Sequence, residues 1–368
     1  MSRRMKVAQV CRVGWPHIGG METVVRGLSE SLQQLGHEVV VFTLDESPDG
    51  TVQYADGEHR GVRYRRLQRV GPWRYPRARG LVQAVKGFDV VHVHGLDGLA
   101  DQLVRGRKIH GARVAVSTHG GFFHTSRQPW LKALWLRTVT RYTLGRADAV
   151  WFTSEQDRQM LAPARVDGVH IPNGVDVAGF SEVIRAPVIG RWLVPGRVES
   201  HKGIEDLLGA LARNPSLSRV ALEIVGPTRD EAMYRQLVEK VEALGLQNQV
   251  VIRGEVSDAA YRESFSRCEM AFFPSRYEGF GVAVVEAMAA GVPVVASPIP
   301  AFTELVEDGQ NGYIFDFRAD SVSDDLAQLL GKEQQAMSQQ AREAAKRHSW
   351  AHRGALFSEA MLALLRRP

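Results

Sequence analysis

Cysteine is scarce in this chain. Only Cys11 and Cys268 occur among 368 residues, and neither lies in a C-x-x-C or other metal-ligand spacing. That excludes a disulfide framework and a zinc centre, and two reduced thiols are expected. Long apolar runs are missing too. No stretch approaches 18 uninterrupted apolar residues, and Met1-Ser2-Arg3-Arg4-Met5-Lys6 leads into a strand pattern without the apolar core of a signal peptide. A cytoplasmic chain is therefore expected. Low-complexity tracts are absent, and 44% hydrophobic against 24% charged residues excludes a disordered chain. The dinucleotide fingerprint G-x-G-x-x-G is lacking after the first strand. Gly14-Trp15-Pro16-His17-Ile18-Gly19-Gly20 stands there instead, with Pro16 in the turn. Asp45, at the end of the second strand, is the one residue placed as a nicotinamide ribose ligand would be.

What is present points to two α/β halves. A length of 368 residues exceeds what one core usually organises. Short β-branched runs at 5–11, 39–44, 90–94, 114–118 and 149–153 alternate with helical periodicity, notably over 21–35. The order then starts afresh. Strands are expected at 192–195, 221–225, 250–253, 270–273 and 294–296, with helices near 204–211, 231–244, 258–266 and 282–290 between them. Residues 173–190, with three glycines and a proline, read as the connector. The pattern is repeated βαβ, hence parallel sheets with helices on both faces. Ligands of such sheets bind beyond the carboxyl ends of the strands, so two facing halves would make one deep cleft.

Charge is asymmetric. Residues 1–180 hold 25 Lys and Arg against 16 Asp and Glu, whereas residues 181–368 hold 21 against 25. The excess gathers in Arg60, Arg63, Arg65, Arg66, Arg69, Arg74, Arg77 and Arg79, and again from Arg127 to Arg141 around Trp130, Lys132, Trp135 and Arg137. Cations mixed with aromatics suit an anionic membrane surface, set against the plainer reading of a solvated face beside a core helix. No recognisable nucleic-acid motif accompanies the basic residues.

The most informative segment runs from Pro274 to Ala289. Glu278 falls in a loop after an apolar strand, and Glu286 on the second turn of the Ala-rich helix that follows. Two turns rise roughly 11 Å, enough to span a diphosphate. Between the two carboxylates, the amides of Gly281 and Val282 stand at a positive helix end. Either residue alone reads more simply as a surface Glu, but a charge in so apolar a helix needs a partner. Arg197 and Lys202, after the first strand of the second half, suit a diphosphate leaving group. Gly19 and Gly20 open the first helix, where backbone can approach a phosphate. His119 follows a strand end, and Asn173-Gly174 ends another as a turn signal.

Together these segments resemble the retaining glycosyltransferases of family 4, with the GT-B fold. The matching pieces are Gly19-Gly20, Thr118-His119-Gly120, Ile171-Pro172-Asn173-Gly174-Val175-Asp176, Gly196-Arg197-Val198 with Lys202-Gly203, Pro274-Ser275, Glu278-Gly279-Phe280-Gly281 through Glu286, and Gly291-Val292-Pro293. They run in the family's order from one end of the chain to the other. The resemblance implies an acceptor domain over 1–178, to which the C-terminal helix 350–368 crosses back, and a nucleotide-sugar donor domain over 190–349. It implies that Arg197 and Lys202 hold the diphosphate, Glu278 the donor sugar and Glu286 the ribose, and that His119 contacts the transferring sugar. Gly19, Gly20, Asn173, Gly279, Phe280, Gly281 and Val282 complete the expected donor site. Metal-free catalysis is implied, with no cofactor, and the chain lacks an Asp-x-Asp metal anchor. His17 stands where some relatives carry an acidic residue.

The expected activity is hexosyl transfer from a nucleotide-diphosphate sugar, with GDP-mannose or a GDP-deoxyhexose preferred. The expected acceptor is a glycan, lipid-linked as it is for many members of the family the chain resembles, in bacterial envelope polysaccharide synthesis on the inner face of the cytoplasmic membrane. Two other readings fit the fold pattern. A sugar-nucleotide epimerase would turn over donor alone, and a non-catalytic membrane scaffold would have no use for Arg197, Lys202, Glu278 and Glu286.

Overall fold

A computed structural model describes residues 3–17, 20–119, 129–228, 230–332 and 334–367, without the side chains of Pro129, Leu131, Lys132 and Gln156. Gly19, and the Gly120-Gly121 that follow His119, lie outside the described residues. The chain divides into two units, Met1–Gly174 with Trp350–Pro368, and Val175–Ser349.

The first unit is built on strands β1 (Lys6–Val10), β2 (Glu38–Leu44), β3 (Gly57–His59), β4 (Val62–Leu67), β5 (Arg69–Val70), β6 (Arg77–Ala78), β7 (Val90–His94), β8 (Arg113–Ser117), β9 (Ala149–Phe152) and β10 (Val169–His170). Eight of them form one sheet in the order β10-β9-β8-β7-β1-β2-β4-β3, while β5 and β6 pair separately. Within the large sheet only β3 runs antiparallel to its neighbour. Valine dominates because strands covered on both faces have no solvent side to place polar residues on. The helix Gly20–Gln34 crosses the C-terminal helix Trp350–Arg366 at small residues. A Cβ on Gly27 would lie 2.1 Å from Trp350 Nε1, and one on Gly354 2.0 Å from Ser31 Oγ. Ser31 Oγ donates to the Trp350 carbonyl at 2.8 Å, and His37 Nε2 meets Ser358 Oγ at 2.7 Å.

The second unit carries β11 (Arg191–Pro195), β12 (Ala221–Val225), β13 (Val250–Gly254), β14 (Met270–Phe273), β15 (Val294–Ala296) and β16 (Gly312–Ile314). They form an all-parallel sheet in the order β13-β12-β11-β14-β15-β16. The change of unit falls after Gly174, ahead of the expected 178 and 190. The first part of the expected connector joins the core, where Val175, Val177 and Phe180 bury with Phe265 and Val285 and the Phe180 ring packs edge-on against Tyr261 and Phe265; further on, Ile184 and Ile189 are exposed.

Each sheet has one place where the strand order turns back on itself, and such a switch point opens a crevice beyond the strand ends. In the first unit it lies between β1 and β7. In the second it lies between β11 and β14, the strands that precede Lys202 and Glu278.

Candidate functional site

Two loops meet at the second sheet's switch point. The loop after β11 ends in a 3-10 turn, Ser200–Lys202, closed by Gly203 at φ 63°. A Cβ on Gly203 would lie 2.1 Å from the Pro274 carbonyl oxygen, so only glycine lets the turn approach the loop after β14. The Arg276 amide donates to the His201 carbonyl at 2.7 Å. The Arg276 guanidinium grips Asp206 through Nε to Oδ2 at 3.1 Å and Nη2 to Oδ1 at 3.0 Å, a two-toothed geometry that holds orientation as well as charge.

This stitching brings Lys202 and Glu278 together. Lys202 Nζ donates to Glu278 Oε1, both side chains being less than one-fifth exposed. Ser275 Oγ donates to the same oxygen at 3.2 Å. Arg197 is turned elsewhere: it pairs with Glu199 at 2.8 Å and remains about half exposed, with His201 Nδ1 on the other Glu199 oxygen at 3.3 Å. The two cations are therefore unequal, one locked in the crevice and one at its rim.

Beyond Glu278 the chain enters the helix Val282–Ala289 through Gly281 at φ 94°, a cap position whose residue has no side chain to satisfy the first amides. A Cβ on Gly281 would lie 2.9 Å from the Phe302 ring. Gly279 and Val282 are exposed and Phe280 is half-buried, its ring 5.8 Å from that of His348. Glu286 sits on the second turn. Its Oε2 accepts from Tyr261 Oη at 3.0 Å. Burial pushes its carboxyl up to about 7, the Tyr261 bond opposes the rise, and Asp176 and Asp258 add to it. Burial likewise raises the Tyr261 phenol, with Glu286 beside it.

The remaining expected site residues lie in the first unit. Gly20 opens its helix with nothing within 4 Å of a notional Cβ. Asn173 is half-buried, and its Oδ1 has no hydrogen-bond partner among the described residues. His119 follows β8 at φ 46°, and its Nε2 stands 2.9 Å from His94 Nδ1. Burial lowers its pKa to about 4, so the ring is neutral at physiological pH. The preceding residue is pinned: Thr118 Oγ1 and Thr153 Oγ1 donate to Asp157 Oδ2 at 2.7 and 2.6 Å. Across the switch point of this sheet, Arg12 Nε donates to the almost wholly buried Asp97 at 2.6 Å. Asp45 accepts from the Arg69 amide at 3.1 Å, which makes it a strand-end brace.

Sequence reasoning missed Tyr261, Asp206 and His94, whose partners lie 25 or more positions away, and it named Ser275 only as part of a motif, without its bond to Glu278.

The family profile for glycosyl transferases group 1 matches residues 191–348, and that for glycosyltransferase family 4 matches residues 18–178. The chain is 34% identical over 339 residues to the GDP-mannose:cellobiosyl-diphosphopolyprenol alpha-mannosyltransferase of Xanthomonas oryzae pv. oryzae (strain PXO99A), covering 89% of this chain and 87% of that protein. It belongs to the family 4 glycosyltransferases. The protein of the same name from Xanthomonas campestris is 35% identical over 92% of this chain and 88% of its own length. A glycosyltransferase from Rickettsia africae ESF-5 superposes with a TM-score of 0.76 at 17% identity over all of both chains, and the fold is GT-B. The enzyme is thus a hexosyltransferase, as the motifs of the sequence imply.

Proposed function

We propose that this glycosyltransferase moves mannose from GDP-mannose to a glycan carried on a polyprenyl diphosphate, with retention at the anomeric carbon and without a metal ion. The names of the Xanthomonas relatives support the donor and the acceptor. The observation that carries the chemistry is the largely enclosed Lys202–Glu278 pair beside the helix end at Gly281, which has no side-chain cap of its own. Breaking the sugar–phosphate bond leaves positive charge at the anomeric carbon and negative charge on the departing phosphate. Lys202 and the helix amides meet the second charge, and Glu278 stands one loop away for the first. Arg197 at the rim engages the outer diphosphate oxygens, Glu286 the ribose, and His119 the transferring sugar. The leaving phosphate takes the acceptor hydroxyl's proton. The test is transfer to a polyprenyl-diphosphate disaccharide, comparing GDP-mannose with UDP-glucose and ADP-glucose and reading the anomer by NMR. Turnover is expected with GDP-mannose, giving the α-linked product, and it persists in EDTA. A β-linked product, or EDTA inactivation reversed by Mg²⁺ or Mn²⁺, would refute the corresponding part.

The Glu286 carboxyl adds a pH signature. A vicinal diol donating two bonds requires an acceptor-only, ionised carboxylate. Because burial raises this group to about 7, its ionisation costs the fold stability as pH rises from the unfolded value through 7, and nucleotide that binds the ionised form drives the proton off. GDP affinity is expected to rise between pH 6 and 8, with proton release at pH 6.5 in calorimetry across buffers of different ionisation enthalpy. Glu286→Gln should abolish the release. Equal release from the variant would move the ribose elsewhere.

Docking on an anionic leaflet belongs to the same reading, with the residues revised. Four of the expected cations are already paired: Arg60 with Glu30, Arg63 with Glu38, Arg65 with Asp56 and Arg69 with Glu46. Arg66 is drawn in under the sheet edge, donating to Thr43 Oγ1 and the Trp15 carbonyl. The candidates for lipid are Arg74, Arg77, Arg79 and Arg137, exposed and without an ion pair among the described residues. Trp130 and Leu134 are exposed at 68% and 55% on the helix Pro129–Trp135, whose Trp135 packs edge-on against Tyr75 of the β5–β6 hairpin at 5.2 Å. Each cation near such a surface contributes about 1 kcal/mol. Salt-sensitive sedimentation with anionic, not neutral, liposomes is expected. Replacing Arg74, Arg77, Arg79 and Arg137 by Glu should remove it and leave GDP binding intact. Among the described residues no helix is long and apolar enough to cross a membrane. Wild-type protein that ignores anionic liposomes at low salt would point to a soluble acceptor.

A further inference from the structure

The first sheet buries polar side chains where aliphatic ones belong. Gln9 of β1 is in register with His92 of β7, and His94 of β7 with Ser117 of β8. With a side-chain period of two, these four share one face. Their exposures are 0%, 0%, 1% and 0%. Trp151 and Phe357 close over His92 at ring distances of 4.8 and 5.6 Å. Desolvation drives both imidazoles well below the usual histidine range, so both are neutral. Gln9 Nε2 and His92 Nδ1 have no hydrogen-bond partner among the described residues, which makes the network expensive. Valines would fill this face without that penalty, so stability does not explain it.

The network has a direction. Gln9 Oε1 lies 2.7 Å from His94 Nε2, and His94 Nδ1 lies 2.9 Å from His119 Nε2. The two ring planes are within 27°, with centroids 5.1 Å apart. A carboxamide oxygen only accepts, and a neutral imidazole has one donor and one acceptor nitrogen. With the Gln9 oxygen facing His94, His94 carries its proton on Nε2 and accepts at Nδ1. His119 must then donate from Nε2, which leaves its Nδ1 as a bare acceptor.

We propose that Gln9 and His94 are positioning residues that hold His119 in the Nε2–H tautomer, so that its Nδ1 accepts a hydrogen bond from a hydroxyl of the substrate sugar. The proposal rests on the reading that His119 meets the transferring sugar. It gives His119 a specificity that proximity alone does not: a neutral acceptor takes a sugar hydroxyl and rejects a phosphate oxygen or a carbonyl, which have no proton to give. It also assigns work to two side chains too deep to touch substrate.

The tautomer is read directly by long-range ¹⁵N–¹H correlation on histidine-labelled wild-type protein at neutral pH. His94 and His119 are each expected protonated at Nε2, and a His119 protonated at Nδ1 overturns the proposal whatever the variants do. The kinetic arm is a cycle of Gln9→Met and His119→Ala. Gln9→Met should lower kcat about tenfold, the size of one hydrogen bond, with GDP affinity unchanged, and should lower it no further in the His119→Ala background. A merely structural Gln9 would cost the same factor in both backgrounds, and that result, or a Gln9→Met enzyme with full kcat, overturns the relay. If His119→Ala itself transfers at the wild-type rate, the sugar-contact reading falls and takes the substrate half of the proposal with it. The NMR arm then still decides the tautomer, so the two failures are told apart.

Discussion

Glu278→Ala is expected to lower the rate of sugar transfer more than a hundredfold while the nucleoside diphosphate of the proposed donor, GDP, binds at least as tightly as to the wild type. The carboxylate is nearly buried at the switch point of the second sheet, held by Lys202 and by Ser275 Oγ at 3.2 Å. Positioned there, it can oppose the positive charge that develops at the anomeric carbon. Removing such an interaction from the transition state costs roughly 3 kcal/mol, over a hundredfold in rate. Nucleotide binding should not suffer, because the truncation frees the Lys202 ammonium for the diphosphate. The measurements are single-turnover transfer from the labelled sugar nucleotide of the proposed reaction and calorimetry with GDP. A kcat within about threefold of wild type would take Glu278 off the sugar side of the site.

How far this site was legible in the chain depends on how local its causes are. Glu278 in a loop and Glu286 on the next helix follow from eight residues of spacing and an Ala-rich run, and the helix Val282–Ala289 forms as expected. Lys202 at a strand end is equally local. The Lys202–Glu278 pair is not, because it joins residues 76 positions apart. It exists because β11 and β14 are neighbours in the sheet, and strand order is a property of the whole domain. Tyr261 reads from sequence as one more residue of an amphipathic helix; its bond to Glu286 depends on how that helix packs.

The first unit departs from its local sequence in two instructive ways. The run Val91-His92-Val93-His94 alternates, but nothing in its spacing tells what covers the histidine face. Here the helix Trp350–Arg366, more than 250 residues later, brings Phe357 over that face and buries both histidines. The arginine-rich stretch 60–79 counted as free positive charge, yet Glu30, Glu38, Glu46 and Asp56 neutralise four of its members. Composition registers charge but not pairing. Of that stretch, Arg74, Arg77 and Arg79 are left for a partner, exposed and without an ion pair among the described residues.

The sharpest separation of binding from chemistry should come from Lys202. Lys202→Ala is expected to weaken GDP binding about a hundredfold, near the upper end for loss of a hydrogen bond to a charged group. The effect is large because two things happen at once. The cation that meets the diphosphate is removed, and Glu278, deprived of its partner in a site less than one-fifth exposed, becomes an unpaired anion facing the same phosphates. The second contribution can be isolated. Lys202→Ala combined with Glu278→Gln removes the repulsion without restoring the cation, so the double variant should bind GDP several-fold more tightly than Lys202→Ala alone. Arg197→Ala should cost far less, because that guanidinium is half exposed and already satisfied by Glu199 at 2.8 Å. Calorimetry at one fixed ionic strength decides all three, since salt screens the exposed cation more than the buried one. A double variant no tighter than Lys202→Ala would mean that the Glu278 carboxylate and the diphosphate do not share a site, and the Lys202 ammonium would then be a structural partner of Glu278 and not a phosphate ligand.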